Sequence, residues 1–425
     1  MLYQFIVYAK KENLMLFDVS GEEWNFPHFY ALPFHIADIK KINEYFNKQY
    51  NLFTNVLKCW KKEDSRLIYE VEVLDTDHLP AYKYSDWAAP SSANIFNAIS
   101  VKEKWILQQW KEGSDYQMPW FQYGFREKTE EWVESKLLGR FCLVEQVRTW
   151  EKGLLLKIHG FNNNYYVKTV PPIFGHEPFV HQSMTKYAPE VISIDEKRKT
   201  YMMREINGEL LGYSEDIQQW KMTVRRIAEL QKKYIQGELK INRTIPIRPV
   251  HTIINEERLH KTISALENYI SNTSYQNLFK SIPDVLSLVQ TLKFKTLLSV
   301  DHGDLFGGNV IVEGGEPLIY DWSDSSLTHP FLSIVHLTEE VETFFSPTLS
   351  EEVLSAYIDE WEGYGQKDEL ISEFLIVQLL QPIYYIIVYL LIISPSLHDN
   401  IDKEEVIDGY ITKWIDNISE ISGQT

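Results

Sequence analysis

The stretch LLSVDHGDLFGGNVIVEGGEPLIYDWSD, Leu297 to Asp324, decides how this chain is read. Three short apolar runs, LLSV, NVIVEG and PLIYD, have strand character, and Gly314-Gly315 suits a tight hairpin turn between the last two, since glycine adopts positive φ without steric cost. Asp304 then lies in a loop directly after the first strand, Asn309 opens the second, and Asp321 ends the third. A short hairpin returns the end of its second strand to the start of its first, so Asp321 is expected beside Asn309 and both near Asp304. Two carboxylates and one amide oxygen suit a hard divalent cation. Magnesium keeps several waters and shares the rest of its shell with substrate phosphates.

Around this interruption the hydrophobic period is helical. From Ser214 onward Ile217, Trp220, Val224, Ile227 and Leu230 recur every three or four residues, which puts them on one face. Phe374 to Ile393, FLIVQLLQPIYYIIVYLLII, has the length of a bilayer span, but it carries Gln378, Gln381 and Pro382. It is expected as a central helix, apolar all round, of a helical lobe. Upstream, GFREKTEEWVESKLLG reads as a helix closed by Gly139, and FCLVEQVRTW, GLLLKIHG and YYVKTV follow as three strands of a meander with a turn at Asn162-Asn163-Asn164. Lys168 falls on the third strand. From Met1 to about Tyr84, short alternating runs predict half-buried strands, interrupted by one helix over Asp38 to Tyr50 with Ile39, Ile42, Tyr45 and Phe46 on one face. A border is expected near Ser114.

Composition excludes more than it identifies. The 425 residues are 44% hydrophobic, enough for two or three cores, so disorder is excluded for most of the chain. With 42 basic against 60 acidic residues the net charge is −18, which repels phosphate backbones and anionic lipid heads. Nucleic acid and membranes are therefore not expected as partners. Only Cys59 and Cys142 occur, without metal-binding spacing, which fits a reducing compartment and no disulfide framework. The N-terminal MLYQFIVYAKKENLMLFDV lacks signal-peptide order, and a cytoplasmic location is expected.

His302-Gly303-Asp304-Leu305-Phe306-Gly307-Gly308-Asn309 resembles the HxDxxxxN catalytic loop of the aminoglycoside phosphotransferase and choline kinase family of protein-kinase-like enzymes, and Asp321-Trp322-Ser323 stands at the place of their metal-binding aspartate. The resemblance covers about residues 120 to 425. It implies that Asp304 orients and deprotonates the acceptor hydroxyl, that His302 braces the loop, and that Asn309 and Asp321 hold magnesium bridging the phosphates of ATP. It further implies that Lys168 grips the α- and β-phosphates with Glu177 as its ion-pair partner, and that the run through Met203 and Glu205 forms the strand and hinge around adenine. Lys157 lies one strand too early for the lysine's part. The turn Arg148 to Gly153 departs from a glycine-rich loop, Phe306 stands where the family frequently has histidine, and Asp324 is either a second acidic contact or a loop carboxylate.

Two other classes compete with this one. His302 and Asp304 with His329 or His336 have the ligand types of a two-histidine, one-carboxylate iron site, but such triads normally sit on a β-barrel, and helices surround this one. A kinase-shaped protein that binds a ligand without turnover is the alternative function. The N-terminal module loosely resembles a Nudix-type fold, yet NEYFNKQYNL, Asn43 to Leu52, lacks the carboxylates of a Nudix box, and Trp24, Trp60 and Trp87 are expected as core. The expectation is an α+β chain: an accessory domain over 1–114, a kinase-like small lobe with an antiparallel sheet over 115–206, and a helical lobe over 207–425. It would be an ATP- and magnesium-dependent phosphotransferase acting on a hydroxyl of a small acceptor such as an aminoglycoside, choline, an amino alcohol or a sugar. The negative surface is compatible with a cationic acceptor.

Overall fold

Apolar residues on both faces of one strand require cover on both sides, and that requirement organises the N-terminal part of the chain. In the computed structural model, which describes residues 1–63, 65–76, 79–113, 118–241, 244–294, 296–397 and 403–424, strand β1 (Leu2–Ala9) buries Tyr3, Phe5, Ile6 and Val7 together. It is joined by β2 (Leu14–Asp18), β3 (His28–Tyr30), β4 (Thr54–Glu63), β5 (Arg66–Val73) and β6 (Ser85–Ala88) in a mixed sheet of order β4-β5-β1-β2-β6, with β3 also on β1 and β5 parallel to β1. Helix α1 (Lys40–Tyr50) covers one face, its Phe46 ring 5.1 Å from that of Phe5. Helices α2 (Ala93–Ala98) and α3 (Val101–Glu112) place Ile95, Ile106 and Leu107 with Ile6, Met15 and Phe17 in one cluster, and Trp24 and Trp60 pack on it. The strands expected as half-buried are therefore covered twice where they run centrally, because α1 closes on the Phe5 face and α2 and α3 on the Ile6 face.

Helix α4 (Phe125–Leu137) ends with Leu138 and Gly139 both at positive φ, as its terminal glycine suggests. Strands β7 (Phe141–Trp150), β8 (Gly153–Gly160) and β9 (Tyr165–Thr169) then form the expected meander, extended by β10 (Val191–Asp195) and β11 (Thr200–Arg204) in the order β10-β11-β9-β8-β7. Lys168 stands on the central strand, opposite Leu155. The chain divides into two compact units, Met1–Pro171 with Ser193–Met202, and Pro172–Ile192 with Met203–Thr425. The first holds both sheets, and side chains join them. Gln146 on β7 receives the Val56 N–H at 2.9 Å and donates to the Val56 carbonyl at 2.7 Å, so one amide completes the hydrogen bonding of a β4 residue. Thr149 donates to the Leu57 carbonyl at 3.0 Å, and Trp120 to that of Trp150 at 2.9 Å. The border expected near Ser114 lies outside the described residues.

The second unit is largely helical. Helix α5 (Glu177–Ser183) opens it. Strand β12 (Glu209–Leu210) and helices α6 (Ile217–Ile235), α7 (Val250–Ile253), α8 (Glu256–Ala265) and α9 (Asn272–Thr291) lead to the strands β13 (Ser299–Asp301), β14 (Val310–Glu313), β15 (Glu316–Ile319) and β16 (Ser326–Thr328). Helices α10 (Val335–Phe344), α11 (Pro347–Ile358), α12 (Lys367–Val388) and α13 (Lys403–Gln424) complete it. Helix α6 buries Trp220, Val224, Ile227 and Leu230 of the predicted stripe, and leaves its first member, Ile217, half-buried. The apolar segment Lys367–Ser396 is long and apolar enough to cross a membrane but is mostly buried within the fold, and Gln381 in it is fully enclosed.

Candidate active site

The loop between β13 and β14 is shaped by backbone constraints before any side chain acts. Strand β13 pairs with β16, Asp301 opposite Ser326, which brings the residues after Asp301 against those before Ser326. Gly303 has φ +85°, and a Cβ there would lie 2.5 Å from the Asp324 carbonyl oxygen, so only glycine allows this approach. Gly307 packs against the backbone of Gly212, where a Cβ would stand 2.6 Å from the Gly212 nitrogen, and its own N–H donates to Glu340 at 2.6 Å. Burial holds the Glu340 carboxyl above its usual range. Gly314 and Gly315, both at positive φ, turn β14 into β15 with Glu313 opposite Glu316, as the glycine pair predicts.

Within this frame the polar groups converge. Asn309, buried, donates through Nδ2 to the Asp304 carbonyl at 2.8 Å and to the Asp304 carboxylate at 3.3 Å. The Asn309 carbonyl accepts the Tyr320 N–H at 3.1 Å, which sets Asp321 one residue beyond. Asp321 adopts φ +63° and accepts from the Ser323 hydroxyl at 2.9 Å. Asp304 is exposed. The His302 Nδ1 accepts the Asp304 N–H at 3.3 Å, so Nε2 carries the proton and donates to the Tyr320 carbonyl at 2.9 Å. This imidazole ties the Asp304 loop to the chain just before Asp321, and its ring lies tilted against that of Trp322, centroids 4.6 Å apart.

Beneath the loop lies a carboxylate that sequence reasoning passed over. Asp301 is fully buried and accepts from Ser333 at 2.7 Å and from Tyr385 at 3.2 Å, while the Ser333 oxygen accepts the His302 N–H at 3.1 Å. Burial pushes the Asp301 carboxyl up to about 6, against the pull of hydrogen bonds from Ser333, Gly303 and Tyr385. Its place directly before the histidine is the one sequence signal it leaves; Ser333 and Tyr385 leave none. Tyr410 on α13 has its hydroxyl held well above the ordinary range, first by burial and then by the charges of Asp304, Asp324, Asp301 and Glu339.

The donor set fits magnesium in a particular way. The Asn309 amide is oriented by its two Nδ2 bonds, which leaves its Oδ1 without a hydrogen bond from any described residue. Among the described residues no three His, Cys, Asp or Glu side chains cluster as a metal cage. Asn309 and Asp321 therefore suit an ion that draws its other ligands from phosphate and water. The iron triad does not assemble: His302 has both nitrogens engaged, and so does His329, with Glu373 at 3.1 Å and the Phe331 N–H at 3.2 Å. His336 faces Glu339 and Gln381. Of the remaining expected residues, Glu177 is fully buried at the start of α5, Met203 is buried on β11 and Glu205 is half-buried just after it. Lys168 belongs to the first unit and these three to the second.

These features define a protein-kinase-like fold of the kind found in small-molecule kinases, and comparison with solved structures agrees. The chain is similar to a choline kinase from Cryptosporidium parvum, with a TM-score of 0.54 and 13% identity over 70% of this chain and 97% of that one. It is similar to an ethanolamine kinase from Plasmodium vivax, with a TM-score of 0.50 and 15% identity over 75% and 94%. A choline/ethanolamine kinase family protein from Mesorhizobium loti aligns with a TM-score of 0.49 and 15% identity over 69% and 95%. At these identities the likeness is one of fold. No protein-family model and no curated protein sequence matches the chain.

Proposed function

We propose that this protein is an ATP- and magnesium-dependent phosphotransferase that moves the γ-phosphate of ATP to a hydroxyl of a small acceptor. The observation that carries the reading is the meeting of Asp304, Asn309 and Asp321 on one loop and hairpin, with His302 bonded to both sides. Asp304, oriented by Asn309, accepts the hydrogen of the acceptor hydroxyl and aims its oxygen. Asn309 Oδ1 and Asp321 would hold magnesium, which supplies neutralisation of phosphate charge when bound. Lys168 is assigned to the α- and β-phosphates with Glu177 as its partner, and the Met203–Glu205 segment to the adenine ring. Positioning and charge supply most of the barrier reduction in such a reaction, so no covalent intermediate with the protein is needed.

The acceptor is proposed from charge: the acidic surface and the carboxylates around Tyr410 favour an amine-bearing alcohol, the class to which choline and aminoglycosides belong. The N-terminal sheet is assigned an accessory part, on a loose sequence resemblance to a Nudix-type fold whose Nudix-box carboxylates it lacks. A screen of γ-phosphate transfer from ATP across amino alcohols, aminoglycosides and sugars tests activity and acceptor together. Asp304→Asn should lower turnover by about three orders of magnitude or more while nucleotide binding persists. Unchanged turnover in that variant removes Asp304 as the base. Nucleotide binding with no transfer to any hydroxyl would instead favour a silent ligand-binding protein.

A further inference from the structure

The turn between β7 and β8, Arg148 to Gly153, stands at the Lys168 end of its sheet. Leu155 lies opposite Lys168 on β9, and Gly153 is two residues nearer the turn, about 7 Å along the strand. A Cβ at Gly153 would lie 2.9 Å from the Thr169 carbonyl oxygen, so the turn closes on the residue next to Lys168. Strand β7 is the outer strand of this sheet, and the N-terminal module occupies its open edge. The Asp38 backbone bridges that of Arg148, and Gln146, besides pairing with Val56, accepts from the Asn43 amide at 3.1 Å. Each position that follows is held as well. Thr149, enclosed, donates to the Leu57 carbonyl at 3.0 Å, and the Trp150 carbonyl accepts the Trp120 indole N–H at 2.9 Å. The His35 ring meets the Trp150 ring edge-on with centroids 5.2 Å apart, the Lys152 ammonium sits over that same indole at 4.7 Å, and Glu151 is buried.

We propose that the N-terminal module is a brace that holds the β7–β8 turn ready for the nucleotide phosphates, with Thr149 and His35 as positioning residues. This rests on the assignment of Lys168 to those phosphates. A mobile turn must be ordered when a ligand binds, and the entropy lost is subtracted from affinity; a turn already fixed avoids that loss. The bulky sequence of this turn is then no handicap, because its shape is set by the neighbouring sheet and not by glycine freedom.

Hydrogen exchange and nucleotide affinity of the full chain test the brace separately. In the nucleotide-free parent the peptide spanning 146–155 should exchange slowly, and AMP-PNP with magnesium should leave that rate unchanged. Thr149→Val keeps the shape of the side chain and removes its donor. It should speed this exchange and raise the Kd for AMP-PNP with magnesium, each by about fivefold, the worth of one hydrogen bond, while exchange of β1 stays as in the parent. Thr149→Ser should restore both. A threonine with a purely structural part would lower the unfolding midpoint and leave the Kd alone. A turn that is unprotected until nucleotide is added, or an unchanged Kd in Thr149→Val, overturns the proposal. If that variant does not fold, His35→Ala, at an exposed position, should move the same two quantities, and no change in either overturns it equally. Failure of the nucleotide reading itself shows differently, as a parent with a protected turn that binds no AMP-PNP with magnesium, and it takes this proposal with it.

Discussion

Asp301 carries a charge in surroundings that oppose it. Its carboxyl, pushed from an ordinary 3.8 up to about 6 by burial, retains a proton in the folded chain over a range where the unfolded chain has lost it. The stability this group contributes is full below about pH 4 and is lost as the pH rises through about 6. The displacement corresponds to on the order of 3 kcal/mol. Asp301→Asn should therefore hold its unfolding midpoint nearly level between pH 4 and 7, where the parent loses stability; parallel pH curves for the two proteins would refute this. The amide still accepts from Ser333 and Gly303, so the loop should keep its shape.

At the scale of single elements, two joints are open to test. Gly303 sits at φ +85° against the Asp324 backbone, so Gly303→Ala introduces strain and a steric conflict together. A loss of about 1–3 kcal/mol in urea unfolding is expected, with kcat falling more than the KM for nucleotide because Asp304 is displaced. In the first unit, Gln146 replaces a neighbouring strand for Val56. Gln146→Leu leaves a buried N–H and carbonyl unsatisfied and should cost about 2 kcal/mol or more, read by urea denaturation. No effect would mean that water takes the place of the amide. Tyr410 extends the same logic to α13, where one aromatic hydroxyl senses four carboxylates from distant parts of the sequence.

For the whole molecule, mass action gives the most direct measurement. If nucleotide and magnesium bind the folded chain, AMP-PNP with magnesium should raise the unfolding midpoint by the equivalent of about 2.7 kcal/mol at a hundredfold excess over Kd. Neither component alone should do as well, since Asn309 and Asp321 offer too few ligands to hold the ion without phosphate oxygens. A flat response would speak against nucleotide as the ligand. The net charge of −18 acts at this scale too, since a surface of that sign repels polyanions and attracts small cations.

The residues from Leu297 to Asp324 were legible because a hairpin with a glycine turn and a strand-loop unit are local structures, whose geometry follows from φ preferences and strand periodicity over a few residues. The β7–β9 meander, the helix ending at Gly139 and the α6 stripe were readable for the same reason. Asp301 meeting Ser333 and Tyr385, Gly307 meeting Glu340, and Gln146 meeting Val56 were not, since each joins residues 32 to 90 positions apart. Nor did periodicity foretell that the first sheet is covered on both faces, because the covering helices come from elsewhere in the chain. Sequence by itself determined the secondary elements and the donor types gathered on the loop and hairpin after β13. Tertiary structure alone decided which buried charges have partners, as Asp301 has in Ser333 and Tyr385, because burial and pairing belong to the folded arrangement and to no single stretch of chain.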